Sequence, residues 1–221
     1  MKKHIILIFI ALCYYLSEVP ILAQQEERVK LPFEFTVSAG AEINNFSNLN
    51  ARLKDLGLDK TKPVMLSGGI GVAYDFNPVM LGTSISAGTS GFGDRSGHQS
   101  YWRGYFSSNR IRSGNIIFSP ELGLGYQQLS NNVVKEGLQG EFNDFLISTP
   151  NQTRLEHKGT ALDVGISLKK VTSSRIDPFL RIGYRHGLKS SSWKIQGADA
   201  DNVPSDRISN VYVQLLLGIG R

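Results

Sequence analysis

The stretch LSGGIGVAYDF, residues 66–76, alternates apolar residues with small or polar ones along most of its length. Its apolar members are Leu66, Ile70, Val72, Tyr74 and Phe76. The residues between them are mainly glycine, serine and alanine, apart from Asp75. Side chains of a β-strand point alternately to its two faces, so a period of two residues predicts a strand. This stretch therefore predicts a strand with one apolar face and one face of small side chains.

The same alternation recurs along the chain and predicts an all-β fold. We predict eight strands, at residues 33–43, 66–76, 79–89, 101–108, 116–128, 161–169, 179–186 and 211–219. Most have the length of about 9–11 residues that a tilted strand needs to cross a bilayer. The connections at 77–78, 109–115 and 170–178 are short, and those at 44–65, 90–100, 129–160 and 187–210 are mostly long. Short turns on one side and long loops on the other predict an eight-stranded antiparallel up-and-down transmembrane β-barrel.

The apolar face of the predicted strands indicates lipid rather than a soluble core. None of these strands carries Asp, Glu, Lys or Arg on that face, although 19% of the chain is charged. A lipid-facing Lys or Arg at mid-membrane costs roughly 2–4 kcal/mol. Aromatic residues also gather near the strand ends, as in interfacial girdles. They are Phe33, Phe35, Tyr74, Phe76, Phe106 and Phe118 at one end, and Trp102 and Tyr126 at the other.

The first 23 residues have the pattern of a secretory signal peptide. Lys2 and Lys3 precede the apolar run IILIFIALCYYL, and Ala23 provides a small residue for cleavage. The only cysteine, Cys13, lies inside this segment. We therefore predict a signal peptide at 1–23, cleaved after Ala23, followed by an outer-membrane barrel at 24–221.

The composition offers little support for nucleic acid, cofactor or metal binding. The net charge is only +5, and no block of basic residues is interleaved with aromatics, so we expect no nucleic-acid partner. Asp199, Asp201 and Asp206 are close together but lack the full spacing of an EF-hand calcium loop. We predict neither a metal site nor a cofactor.

Three histidines are candidates for catalysis. His98-Gln99-Ser100 has a His-x-Ser spacing, but we expect it in a loop without an acid to complete the group. His186 lies near the outer end of a predicted strand and is interpreted as an interfacial residue. His157 falls in a long polar loop, where we expect it to be solvated. We therefore predict no catalytic residue and no enzymatic activity.

Charged residues on the inner face of the strands are nearly balanced in sign. The acids are Glu34, Glu42, Asp75, Glu121 and Asp163, and the bases are Arg103, Lys169, Arg181 and Arg185. Such groups should pair in a low-dielectric interior. Antiparallel register allows Asp163 opposite Arg185, with Gly165 opposite Gly183, and it allows Arg103 opposite Glu121. We predict these two ion pairs inside the barrel, with a structural role.

Four segments carry a resemblance to a known group. They are GGIGVAYDFNPVMLG (68–82), SPELGLGY (119–126), DPFLRIGYR (177–185) and VYVQLLLGIG (211–220). With the candidate cleavage site, they resemble the small outer-membrane β-barrel proteins of Bacteroidota. The resemblance implies an outer-membrane location, contact with its lipid and insertion by the barrel-assembly machinery. It implies no particular chemistry.

The long loops are where a function is expected. Loop 129–160 is the longest and contains Phe142, Phe145 and Leu146, which could anchor a partner. We expect a non-enzymatic barrel with a structural, adhesion or partner-binding role, its loops contacting an extracellular protein or glycan. Two alternatives stay open: a lipid-modifying enzyme, and a narrow, porin-like solute channel. Within the first long loop, NLNARLKDLG (48–57) could form a short amphipathic helix.

Overall fold

The computed structural model describes residues 32–76, 79–91, 96–108, 111–113, 115–134, 152–170, 176–197 and 203–219. One helix, α1 (Ser47–Asp55), lies between the first two strands. In chain order the strands are β1 (Phe33–Asn44), β2 (Val64–Asp75), β3 (Val79–Thr89), β4 (Gly97–Ser108), β5 (Ile111–Ser113), β6 (Ile116–Val134), β7 (Gln152–Lys170), β8 (Ile176–Gly187), β9 (Ser191–Ser192), β10 (Lys194–Ile195), β11 (Ser205–Asp206) and β12 (Asn210–Ile219).

Eight long strands form a closed antiparallel barrel. Their order around the barrel is β1, β2, β3, β4, β6, β7, β8 and β12, so each strand pairs with its neighbours in sequence. The last strand returns to the first, with Phe35 opposite Ile219 and Asn44 opposite Asn210. Closure leaves no unpaired sheet edge between the eight strands. The predicted all-β class, strand number and up-and-down order are confirmed.

The two faces of the barrel are as the alternation predicts. Ile70 on β2 is 63% exposed on the outside, whereas Arg103 on β4 is 2% exposed and points inward. The outward aromatic residues include Phe33 and Tyr74 at one end, whose ring centroids are 4.9 Å apart. The barrel is therefore apolar outside and polar inside, the reverse of a soluble sheet protein.

Strands β6 and β7 are longer than predicted. Each has 19 residues, and Asn131 pairs with Leu155 and Val134 with Gln152. The predicted loop 129–160 is thus partly a hairpin that continues the barrel wall beyond Tyr126. The outward residues of this extension are polar, as with Arg154 and Lys158, so the apolar pattern that marks the other strands is missing here.

The structure changes the predicted bounds of two further elements, and several predicted features lie outside the described residues. β4 begins at Gly97, so His98-Gln99-Ser100 lies in a strand and not in a loop. Helix α1 occupies Ser47–Asp55 where 48–57 was predicted, and it buries Leu49 and Leu53. The predicted signal peptide, Phe142, Phe145, Leu146, Asp199 and Asp201 lie outside the described residues. Within the described part of the chain, no helix has the length and apolarity needed to cross a membrane.

Candidate functional site

The centre of the lumen is organised around Asp163 of β7, whose side chain is fully buried. Its carboxylate accepts hydrogen bonds from Arg103 Nη1 at 2.8 Å, from Arg185 Nε at 3.2 Å and from the Tyr212 hydroxyl at 2.7 Å. These three partners come from β4, β8 and β12. One carboxylate therefore links four strands across the barrel interior.

Further ion pairs extend from this centre toward both ends. Arg185 Nη1 donates to Glu42 at 2.6 Å, and Gln99 Nε2 donates to the same carboxylate at 2.8 Å. Glu121 accepts from Arg103 Nη2 at 2.9 Å and from Arg181 Nε at 3.0 Å.

At the end of the barrel that carries the short turns, Lys169 Nζ donates a hydrogen bond to Glu34 and lies 3.2 Å from the carboxylate of Asp177. Like the central groups, Glu34 and Lys169 are buried. Shared partners of this kind offset the cost of burying charges, which isolated ions in the lumen could not do.

Tyrosines line the same interior and stack against the arginines. The Arg185 guanidinium carbon is 3.9 Å from the ring centre of Tyr101 and 4.6 Å from that of Tyr212. Arg103 lies 4.4 Å from the ring centre of Tyr105. These tyrosines were not predicted as lumen residues, although Tyr101 and Tyr105 share the odd-numbered positions of Arg103 on the strand. Their bulk fills space that a narrow barrel would otherwise leave open.

Both ion pairs predicted from the sequence are present. Asp163 lies directly opposite Arg185, and Gly165 opposite Gly183, as predicted. The predicted register of Arg103 was wrong, because Arg103 lies opposite Gly125, and Glu121 lies opposite Ser107. The long arginine side chain spans this four-residue offset and still reaches Glu121.

An apolar cluster packs at the end of the barrel opposite the short β2–β3 and β7–β8 turns, the end that we call the outer mouth. Its buried members are Phe46, Leu49, Leu53, Met65, Leu129, Leu155, Trp193 and Ile208. We use "outer cap" for residues 46–55, which include α1, and for residues 191–197 and 203–209; together these segments supply five of the buried side chains. Strand β11 pairs with β9, and β10 pairs with the outer part of β7. The outer cap is thus packed onto the extended hairpin of β6 and β7.

Asp206 ties the three segments of the outer cap together. Its carboxylate accepts hydrogen bonds from the backbone N–H groups of Asn48 and Leu49, both at 3.0 Å, at the start of α1. It also accepts from Trp193 Nε1 at 2.9 Å. A carboxylate at a helix N-terminus satisfies free N–H groups and complements the helix dipole. Asp206, one of the three acids considered above for calcium binding, thus uses its carboxylate to hold the outer cap together.

His157 is buried, contrary to the prediction that it is solvated, because it lies on the inner face of the β7 extension. Its Nε2 is 3.1 Å from the backbone carbonyl of Asp206 and 2.8 Å from Ser191 Oγ. A carbonyl can only accept, so the contact with Asp206 favours the tautomer in which Nε2 carries the proton, and in that tautomer Nε2 cannot remove one from Ser191. The Ser191 hydroxyl donates instead to the Lys158 carbonyl at 3.0 Å.

The cluster of Ser191, His157 and Asp206 therefore lacks the arrangement of a catalytic triad. In a triad, the carboxylate would accept from the other ring nitrogen of the histidine. Here Nδ1 of His157 is buried and meets no hydrogen-bond partner among the residues described.

The other two candidate histidines, His98 and His186, lie on the outside of the barrel. His98 is exposed, with Nε2 3.2 Å from Ser96 Oγ, while its neighbour Gln99 points inward. His186 lies with Nδ1 3.5 Å from the Tyr184 hydroxyl. The structure does not bring either one to the Ser191 cluster.

The stability of the outer cap should fall as the pH falls below about 6.5, the ordinary histidine value. Burial lowers the pKa of His157, and the nearby Asp206 opposes this only in part. The unfolded segment then binds a proton that the folded one does not, so acid favours opening. Hydrogen exchange of the α1 amides, compared between pH 7.5 and pH 5, measures how readily the outer cap opens at each pH. His157→Gln should weaken the pH dependence, and an unchanged dependence would exclude His157 as its source.

The comparisons with known proteins support the fold. No protein-family model matches the sequence, and no curated protein matches it. Among solved structures, Neisserial surface protein A is similar with a TM-score of 0.54 and 10% identity, over 88% of this chain and 100% of that one. A major outer membrane protein from Thermus thermophilus is similar with a TM-score of 0.52 and 11% identity, over 85% and 99%. The chain therefore has the closed eight-stranded fold found in outer-membrane barrels.

Proposed function

We propose that this chain is a non-enzymatic barrel of the outer membrane, whose lumen is closed and whose outer cap presents a binding surface. The observation that carries the proposal is the uncharged apolar belt on the outside. Leu66 is 63% exposed and Leu124 57% exposed, which a soluble monomer would rarely tolerate over a whole surface. Trp102, Tyr126 and Tyr184 lie outward near one end of this belt, as interfacial residues do.

The lengths of the connections support an orientation. The turn between β2 and β3 spans three residues, and that between β7 and β8 spans five. The opposite end carries α1, the extended hairpin and the short strands of the outer cap. Longer connections face the cell exterior in outer-membrane barrels. We therefore place the outer cap outside the cell and the short turns in the periplasm.

The interior supports neither alternative function. Two cavities in the lumen have volumes of about 10 and 20 Å³, enough for roughly one water each. Arginine pairs and tyrosines occupy the space that a solute channel would need. For a lipid-modifying enzyme, a nucleophile with a free base is required, and His157 provides none for Ser191. The role that fits is structural or partner-binding, with an extracellular protein or glycan as the partner.

In cell fractionation, the chain should be found with the outer membrane. On gels it should also change mobility when boiled, because a closed barrel resists detergent until heated. Protease added to intact cells should cut within residues 129–160, and periplasmic proteins serve as the control for intact membranes. Recovery as a soluble periplasmic monomer would contradict the membrane proposal. Cleavage only after lysis would contradict the orientation.

A further inference from the structure

A polar cavity of about 180 Å³ lies at the outer mouth of the barrel, beside the outer cap. Four segments form its walls: the loop after α1, the end of β3, the start of β4 and the outer end of β6. Its lining includes Lys60, Lys62, Ser90, Gly97 and Asn131. It is several times larger than either cavity in the lumen, and none of the interactions described above uses it.

Asn131 lines this cavity and has an unused hydrogen-bond donor in its side chain. The residue is 3% exposed, and its Nδ2 is buried with no partner among the residues that the structure describes. A buried amide N–H group needs an acceptor, which is why most such groups in proteins are paired. Because Asn131 lines the cavity, a small rotation of its side chain would bring this unpaired donor to an oxygen atom of a ligand there.

Gly97 keeps the floor of the cavity open. A Cβ atom at this position would lie 2.4 Å from Asn131 Oδ1 and 2.6 Å from Ser90 Oγ. The backbone N–H of Gly97 donates to that same Ser90 oxygen at 2.9 Å. Any larger residue would push Asn131 and Ser90 out of place, so the glycine preserves the position of both polar groups.

The lysine-bearing wall is fixed to the outer cap. Thr61 lies between Lys60 and Lys62, and both its backbone N–H and its hydroxyl donate to Asn50 Oδ1 at 2.8 Å. Asn50 belongs to α1, so the loop is held in place beside the cavity. The neighbouring Asp59 is engaged in an interaction of its own. Two lysines with one acid give this rim a net positive charge that favours an anion.

We propose that the cavity binds one acidic sugar unit, a ring with several hydroxyls and a carboxylate or phosphate. The hydroxyl oxygens would face Asn131 and Ser90, and the anionic group would face Lys60 and Lys62. The volume lies below the range of about 300–1,000 Å³ that pockets for drug-sized ligands have, so it suits one sugar ring better. The inference deepens the proposed function and depends on it only for the side from which the sugar arrives.

Titration of the full chain, purified and folded in detergent micelles, tests the proposal. The probes are glucuronic acid, glucose 6-phosphate, glucose and inorganic phosphate, followed by saturation-transfer NMR and calorimetry. Both acidic sugars should bind at least tenfold more tightly than glucose or phosphate. No binding, or equal binding of glucose, would overturn the proposal. Because these measurements use purified protein, they stand apart from the fractionation that tests the membrane location.

Three variants locate the site. Lys60→Gln with Lys62→Gln should weaken binding of the acidic sugars at least tenfold, and Gly97→Ala should abolish it. Lys54→Gln, an exposed lysine of α1 outside the cavity, is the matched control and should bind as the parent chain does. If Gly97→Ala fails to fold, the exposed lysine pair decides alone. Parent-like binding by the lysine double variant would overturn the assignment.

The acidic sugar could belong to the membrane's own lipopolysaccharide or to a glycan from outside. Repeating the titration in micelles that contain lipopolysaccharide distinguishes these sources. If glucuronic acid no longer binds in these micelles but binds again in micelles whose lipid carries no sugar, the site belongs to the membrane's own lipid. Unchanged binding would assign it to an external glycan. Either result supports the cavity as an acidic-sugar site.

Discussion

Replacing Asp163 with leucine should destabilise the barrel by roughly 3–5 kcal/mol. The substitution leaves Arg103, Arg185 and the Tyr212 hydroxyl without the carboxylate that they share at 2.7 to 3.2 Å. All these groups are buried, so water cannot easily replace the lost partner. Urea unfolding of the protein in lipid bilayers measures the free energy of unfolding. The exposed Asp55→Leu variant of α1 is the control and should change it by less than about 0.5 kcal/mol.

The double variant Asp163→Leu with Arg185→Leu sharpens this test. It removes a charge of each sign, so its loss should be smaller than the sum of the two single losses, by roughly 0.5–3 kcal/mol. It should not return to the parent stability, because Arg103 also bonds Asp163 and Glu42 also bonds Arg185. Additive losses would mean that Asp163 and Arg185 are not partners, and the register of β7 and β8 would be wrong.

Trp193→Ala should release the outer cap without opening the barrel. The side chain is 1% exposed, packs 6.0 Å from Phe46 and 5.2 Å from His157 between ring centres, and donates to Asp206. Emptying such a site costs about 3–5 kcal/mol. Because Phe46 and Asp206 belong to the outer cap and Asp206 holds the start of α1, we expect α1 to lose its protection from hydrogen exchange. The amides of β1 and β12 should stay protected.

Trp102→Ala is the matched control for this prediction. Trp102 is a tryptophan of the same barrel, but it is 57% exposed on the outer belt, and its indole N–H donates to Thr83 of β3. Its removal should leave the exchange of α1 amides unchanged. If the α1 amides of the Trp193→Ala variant are as protected from hydrogen exchange as those of the parent chain, Trp193 does not hold the outer cap in place.

The fold was predictable wherever lipid would constrain the sequence. Along β12 the apolar face is continuous, and along β2 it is interrupted only by Gly68. The alternation of Val211, Val213 and Leu215 predicts the strand and its faces directly. Beyond Tyr126 this constraint ends, since both faces of a strand outside the bilayer can be polar or mixed. The extension of β6 and β7 was missed for that reason.

The interior was predictable only in part. Because side chains alternate between the two faces of a strand, the positions of Asp163, Arg185, Arg103 and Glu121 along their strands predicted that they point into the lumen. It could not show that Glu42 joins Arg185, since the two lie 143 residues apart in the chain. The outer cap was harder still. His157 meets Asp206 across 49 residues, through loops whose paths follow from no periodic pattern.

The central claim is that one face of each strand contacts lipid while the other fills the lumen. The most direct test uses single cysteines in a Cys13→Ser background, labelled with a fluorophore in bilayers of brominated lipid. Labels at Val37, Ile70 and Val213 should be strongly quenched, because these side chains lie outward. Labels at the inward Thr36, Gly71 and Gln214 should be quenched weakly or should fail to react. Equal quenching at both sets, or stronger quenching at the inward positions, would contradict a lipid-facing belt and with it the membrane barrel.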